Sequence, residues 1–190
     1  MDQDVKKISK ELSYLLRHGA LKEGFQIDDK GFVACDELIK KRNMTMSQIK
    51  QAVETNDKKR FELEERAPNV FFIRASQGHS IQLENPDLKL VTDPNEIPIV
   101  VHGTQKKLLP LIKKDGLKTM GRTHIHFAHG TPDDPTVISG MRKTSNALIY
   151  IDVAKAIKAG IKFYLSSNGV ILSSGINCVI SPDFFSMIVE

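Results

Sequence analysis

Four short segments set arginine or histidine among small, turn-forming residues: LLRHG (15–19), IRASQGHS (73–80), VHGT (101–104) and SGMRKTSN (139–146). Glycine, serine and asparagine neighbours expose backbone N–H groups and let the chain approach a ligand closely. Guanidinium groups bind phosphate oxygens two at a time. Arg17, His18, Arg74 and Arg142 are therefore candidates for handling phosphate. Each also has a structural reading. Arg17 and His18 suit a helix C-terminus through the macrodipole. Arg74 suits a strand-end salt bridge, His79 a loop-holding hydrogen bond, and Arg142 a solvated loop.

His102–Gly103–Thr104 follows an apolar strand and precedes a helix. Glycine there removes a side chain that would block a ligand, and threonine can cap the helix; a buried, satisfied histidine is the plainer alternative. His124 and His126 alternate along a strand, with His129 three residues on, a spacing open to a transition metal. No acidic or thiol ligand accompanies them, so no metal is expected. The runs Lys40–Arg42 and Lys58–Arg60 read as solvated faces, or as long-range attraction to RNA.

At 190 residues, 41% hydrophobic and 26% charged, the chain has the composition of an ordinary folded protein. A net charge of +4 permits an anionic partner without requiring one. No apolar run approaches the roughly 20 residues of a membrane span, and MDQDVKKISKEL lacks the apolar stretch expected of a signal peptide. Cys35 and Cys178 form neither a disulfide framework nor a CxxC knuckle, so a reducing cytoplasm is expected. Nothing such as a heptad stripe asks for a dimer; a monomer is expected.

These residues must be positioned by an α+β fold in two lobes. Val5, Ile8, Leu12 and Leu15 recur at helical spacing, with Gly19 as the stop. Asp29–Lys30–Gly31 forms a turn, 33–41 a second helix, and Thr45 or Ser47 caps a third running to about Asn56. RFELEE (60–65) and NVFFIRA (69–75) form a hairpin through Ala67–Pro68. Helices followed by a hairpin describe a winged-helix-like lobe over 1–85. Pro86, Pro94 and Pro98 mark 86–98 as an extended linker. From 99 to 190 the pattern is β-rich. It opens on the strand ending in HGT and a helix closed by Gly116, with Pro110 marking its start or a kink. Short strands at 124–128, 146–152, 161–167, 169–175 and 177–181 follow, with a helix over 153–159. No G-x-G-x-x-G follows a strand, so a Rossmann dinucleotide site is not expected.

Taken in order, LLRHG, IRASQGHS, HGT, RTHIHFA, SGMRKTSNALIYID and NGVILSSGI resemble the RNA 2′-phosphotransferase family over about residues 8–185. The resemblance implies an N-terminal winged-helix-like lobe that binds RNA and a C-terminal lobe similar to ADP-ribosyltransferases. It also implies an activity: NAD-dependent removal of an internal RNA 2′-phosphate through an ADP-ribosylated RNA intermediate, releasing nicotinamide and ADP-ribose 1″,2″-cyclic phosphate. A link to tRNA splicing is implied with it. The family's catalytic set falls on Arg17, His18, Arg74 and Arg142, with His18 acting in positioning or proton transfer. Its NAD cleft would include His102, Gly103, Thr104, Arg122, Ser139 and Gly140, and NAD would be consumed without any metal. The Glu-x-Glu-like site of protein ADP-ribosyltransferases is absent from the C-terminal half, as suits a phosphate dianion that needs no base. The alternatives are an ADP-ribosyltransferase acting on nucleic-acid terminal phosphates or a small molecule, and a non-enzymatic winged-helix nucleic-acid binder.

Overall fold

The computed structural model describes residues 3–84, 86–137 and 139–190. Asn85, the last residue of the expected first lobe, lies outside them. The chain divides into two units, Met1–Asp87 and Leu88–Glu190. Among the described residues there are five α-helices and several small antiparallel sheets.

In the first unit α1 (Gln3–Tyr14) runs directly into a π-helical turn, Leu15–Gly19. The Ala20 N–H donates to the Leu15 carbonyl at 2.9 Å, closing a loop one residue wider than an α-turn. The wider turn buries Leu15, Leu16, Gly19 and Ala20 together and leaves Arg17 and His18 half-buried. The helical run ends at Gly19 as the sequence suggests, but its last turn is π rather than α. Gly19 lies under the Tyr14 ring, and the chain turns on to Gly24, whose φ is +73°.

Strand β1 (Val33–Ala34) leads into α2 (Cys35–Arg42), a helix shorter than expected because Val33 and Ala34 pair with a neighbouring strand. Thr45 caps α3 (Met46–Glu54) with a full capping box to Gln48. β2 (Phe61–Ala67) and β3 (Val70–Ala75) form the hairpin, and the sheet order is β1–β3–β2. Leu12, Leu16, Leu38, Ile49 and Ile73 meet in the core between the helices and one sheet face. Strand alternation therefore sends Phe72 and Arg74 to the opposite face.

In the second unit the proline-bearing stretch is structured. β4 (Lys89–Val91) is an edge strand, and Pro94–Glu96 is a 3₁₀ turn capped by Asp93. Proline is tolerated there because it follows the strand and opens the turn. β5 (Val101–Thr104) precedes α4 (Leu109–Asp115), which has Pro110 in its first turn and Gly116 as its cap. β6 (Leu117–Lys118), β7 (Ile125–Phe127), β8 (Ala147–Ile151) and α5 (Val153–Lys158) follow. β9 (Phe163–Leu165), β10 (Ile171–Ser173), β11 (Val179–Ile180) and β12 (Phe185–Val189) complete it. The orders are β4–β9–β10–β7, β12–β8–β5 and β11–β6. Paired backbone hydrogen bonds between Val101 and Ala128, 3.0 and 2.9 Å, tie β5 to the end of β7.

Candidate active site

In the first unit the π-turn and the loop after β3 are built into one another. Ser80 and Ile81 donate their backbone N–H groups to the Arg17 carbonyl at 2.9 and 3.3 Å. His18 Nδ1 lies 2.9 Å from Ser80 Oγ. Gly78, at φ +89°, lets the Arg17 side chain lie across it; a Cβ there would sit 3.4 Å from Arg17 Nε. Two motifs 62 residues apart in sequence thus make one surface element. The loop buries Ser76, Gln77 and His79 to under a tenth exposure. Burying three polar residues in a loop costs free energy unless each is hydrogen-bonded. Ser76 meets this by donating its N–H to the Arg60 carbonyl and its hydroxyl to the Lys59 carbonyl.

Arg74 opens this loop, but its guanidinium is committed elsewhere. Nη2 donates to Glu62 Oε2 at 2.6 Å and to Asp87 Oδ2 at 2.9 Å, and Nε to the same Glu62 oxygen at 3.1 Å. The group lies 4.7 Å from the Phe32 ring centroid, and Arg66 lies 4.6 Å from the same centroid. Burial works against the charge on Arg74; Glu62 and Asp87 outweigh it and hold the pKa above its ordinary value. The surrounding groove, about 650 Å³, is also lined by Asp28, Asp29, Lys30 and Glu64. The strand-end salt bridge considered for Arg74 is what this unit shows.

Asp28 organises the turn at the groove's rim. Its carboxylate accepts from the Lys30 and Phe32 N–H groups and from Arg66 Nη2. Burial pushes the Asp28 pKa up, but those hydrogen bonds outweigh it and hold it below the usual range.

In the second unit the HGT strand is bound to the 139–146 loop. Asn146 donates its N–H to the Thr104 carbonyl at 3.0 Å, and its Oδ1 accepts from the Lys106 N–H at 2.8 Å. Gln105 Nε2 donates to the Thr144 carbonyl at 2.6 Å. A Cβ on Gly103 would stand 2.6 Å from Met141 Sδ and 2.7 Å from Ser145 Oγ. Gly140, at φ +94°, lies against the Phe127 carbonyl, and Ser139 beside it is buried. Gly103 and Thr104 therefore pack on the 141–146 part of the loop, Gly140 packs on Phe127 and Ala128, and Arg142 stands exposed on the same loop. Arg122 is outside these contacts, in an exposed turn closed by its N–H on the Thr119 carbonyl.

His102 is set by its surroundings. Burial pushes its pKa down, against a hydrogen bond from Nδ1 to the His126 carbonyl at 2.9 Å. A carbonyl only accepts, so Nδ1 carries the proton and Nε2 presents a lone pair. His124 is turned to Thr123 and the Tyr164 ring, and His129 to Thr136. Among the described residues no group of three His, Cys, Asp or Glu side chains could hold a metal ion.

The motifs that the structure joins within each unit are those that carried the family resemblance. A model of the RNA 2′-phosphotransferase, Tpt1 / KptA family matches residues 2–175. The chain belongs to that family. A Schizosaccharomyces pombe relative is 46% identical over 188 residues, 97% of this chain and 51% of that protein, so this chain spans about half its length. The zebrafish (Danio rerio) tRNA 2′-phosphotransferase 1 is 42% identical over 187 residues, 95% of this chain and 83% of that one. The Saccharomyces cerevisiae tRNA 2′-phosphotransferase is 36% identical over 181 residues, 90% and 79% of the two chains.

Within this RNA 2′-phosphotransferase family member, the sequence reading overlooked Glu62, Asp87 and Ser80. Glu62 faces Arg74 through a bulge between Glu65 and Ala67 that shifts the β2–β3 register, so counting back from the turn at Pro68 does not find it. Ser80 closes the IRASQGHS motif, but nothing in the sequence pairs it with His18.

Proposed function

We propose that this chain is an NAD-dependent RNA 2′-phosphotransferase that removes an internal 2′-phosphate from RNA. The observation that carries the reading is the joining of LLRHG to the SQGHS loop through Arg17, His18, Gly78 and Ser80. Family membership and the names of the zebrafish and yeast relatives support it. The two-lobe architecture, winged-helix-like then ADP-ribosyltransferase-like, belongs to the same proposal.

NAD suits the second unit's candidate residues. In the β5 ladder, antiparallel alternation directs the Gly103 N–H and carbonyl to the same side as those of Val101, towards β7. A donor and an acceptor side by side fit a carboxamide, and a neutral His102 with an Nε2 lone pair fits a ribose hydroxyl. Thr104, Ser139 and Gly140 shape that surface. NAD supplies the ribose carbon that accepts the 2′-phosphate with loss of nicotinamide, and the 2″-hydroxyl that then removes the phosphate as ADP-ribose 1″,2″-cyclic phosphate.

The protein's own work is electrostatic. Arg17 and Arg142 are each assigned to phosphate oxygens through guanidinium groups that stay protonated, and His18 to positioning or proton transfer. Arg74 acts in the same set once phosphate competes with Asp87, the more exposed of its two carboxylate partners. Those cations supply the counter-charge, so no metal is assigned a role. The enzyme is assigned to the cytoplasm as a monomer, and no helix among the described residues is long and apolar enough to cross a membrane. A labelled 2′-phosphorylated oligonucleotide incubated with and without NAD tests this. NAD-dependent loss of the phosphate is expected. Stable ADP-ribose on a terminal phosphate would instead support the transferase alternative.

A further inference from the structure

We propose that Ser80 is a positioning residue for His18, fixing which nitrogen of the imidazole carries the proton. The proposal rests on the reading of His18 as an active-site residue. The contact is specific in geometry: His18 Nδ1 and Ser80 Oγ are 2.9 Å apart, although the residues lie 62 positions apart in the chain. Ser80 is itself held at the backbone, its N–H donating to the Arg17 carbonyl at 2.9 Å. The hydroxyl lies 3.5 Å from that same carbonyl, which can only accept. With its own proton directed there, Ser80 Oγ offers a lone pair to Nδ1. His18 is then held with Nδ1 protonated and Nε2 unprotonated.

The backbone makes this a built device. The π-turn fixes the His18 backbone, the Arg17 carbonyl fixes the Ser80 backbone, and the side-chain contact closes the ring of bonds. Tyr14 stands beside the imidazole, ring centroids 6.5 Å apart and planes tilted by 46°. The same logic holds His102, where a carbonyl in place of a hydroxyl takes the Nδ1 proton. A second-partner hydrogen bond is the usual means by which a protein chooses an imidazole tautomer.

The test uses the full chain labelled with ¹⁵N-histidine, and compares wild type, Ser80→Ala and Ser80→Thr by long-range ¹H–¹⁵N correlation. His18→Ala assigns the signal. At about pH 8.5, where an ordinary imidazole is neutral, the wild type and Ser80→Thr are expected to show the Nδ1–H form of His18. Ser80→Ala is expected to show a mixture or the Nε2–H form. In turnover of a 2′-phosphorylated oligonucleotide, Ser80→Ala should lose about tenfold or more in kcat with KM little changed, equivalent to about 1.4 kcal/mol. Ser80→Thr should restore most of it. An unchanged His18 tautomer in Ser80→Ala overturns the proposal. So does an equal loss in Ser80→Thr with a lowered melting temperature, which would mark Ser80 as structural. If wild type leaves the RNA untouched, the functional reading fails, and the spectra still decide the role of Ser80.

Discussion

Arg74 and Glu62 face each other across the β2–β3 hairpin, with one carboxylate oxygen taking both Nη2 at 2.6 Å and Nε at 3.1 Å. The side chain of Arg74 is only 7% exposed and that of Glu62 30%. Glu62→Gln is expected to lower unfolding stability by about 1 kcal/mol, since a hydrogen bond to a charged group is weakened but not removed. Arg74→Ala should cost more, about 2 kcal/mol, because it leaves Glu62 and Asp87 without their shared counter-charge. Urea midpoints at fixed pH check the order. Equal stability in both variants would mean that the pair does not hold the groove.

Gly103 and Gly140 are expected to resist substitution for different reasons. Gly103→Ala pushes its methyl into Met141 and Ser145, flexible ends that can give, so a loss of about 1–2 kcal/mol is expected with the 139–146 loop displaced. Gly140→Ala meets the Phe127 carbonyl at 2.5 Å from a backbone at φ +94°. Neither can yield, and a loss of about 3 kcal/mol or failure to fold is expected. Thermal unfolding with and without NAD separates the two. NAD should stabilise wild type and not Gly103→Ala.

Much of the scaffold was legible. Thr45 with Gln48 is a capping box in letters as well as in space, and Gly116 and the Pro68 turn stand where the sequence places them. Three kinds of information were not. The π-turn depends on Leu15 and Leu16 both finding room in a core built by distant residues. The Glu62–Arg74 register depends on a bulge between Glu65 and Ala67; counting back from the turn without it puts Leu63 opposite Arg74. The His18–Ser80 contact depends on the whole first unit folding. Short strands such as β6 and β12 also lack a sequence signal of their own, because pairing with a neighbour defines them.

His102 gives a pH dependence whose sign follows from burial. Its folded pKa lies below the ordinary imidazole value, so its contribution is complete above about pH 6.5 and is lost as the pH falls towards the depressed value. The melting temperature of wild type should therefore fall on acidification from pH 7 towards pH 5. In His102→Asn, which cannot take a proton, that slope should be shallower. Parallel curves would show that His102 does not carry the effect.

Arg17 and Arg142 are expected to act on phosphate. Each hydrogen bond to a charged group contributes about 1.5–3 kcal/mol, so alanine at either position should cost one to two decades of rate or more. Where the second step is slowed more than the first, RNA carrying ADP-ribose should accumulate on a gel. Lysine at either position should restore little, because a point charge does not reproduce the two-pronged fit.

The most direct test is product analysis with an oligonucleotide bearing one labelled internal 2′-phosphate. With NAD the label is expected to leave the RNA and appear as ADP-ribose 1″,2″-cyclic phosphate, with a 2′-hydroxyl left behind; without NAD, or with Arg17→Ala, it should stay in place. Release of free phosphate without NAD, or retention of the label by active, folded protein with NAD, would contradict the account.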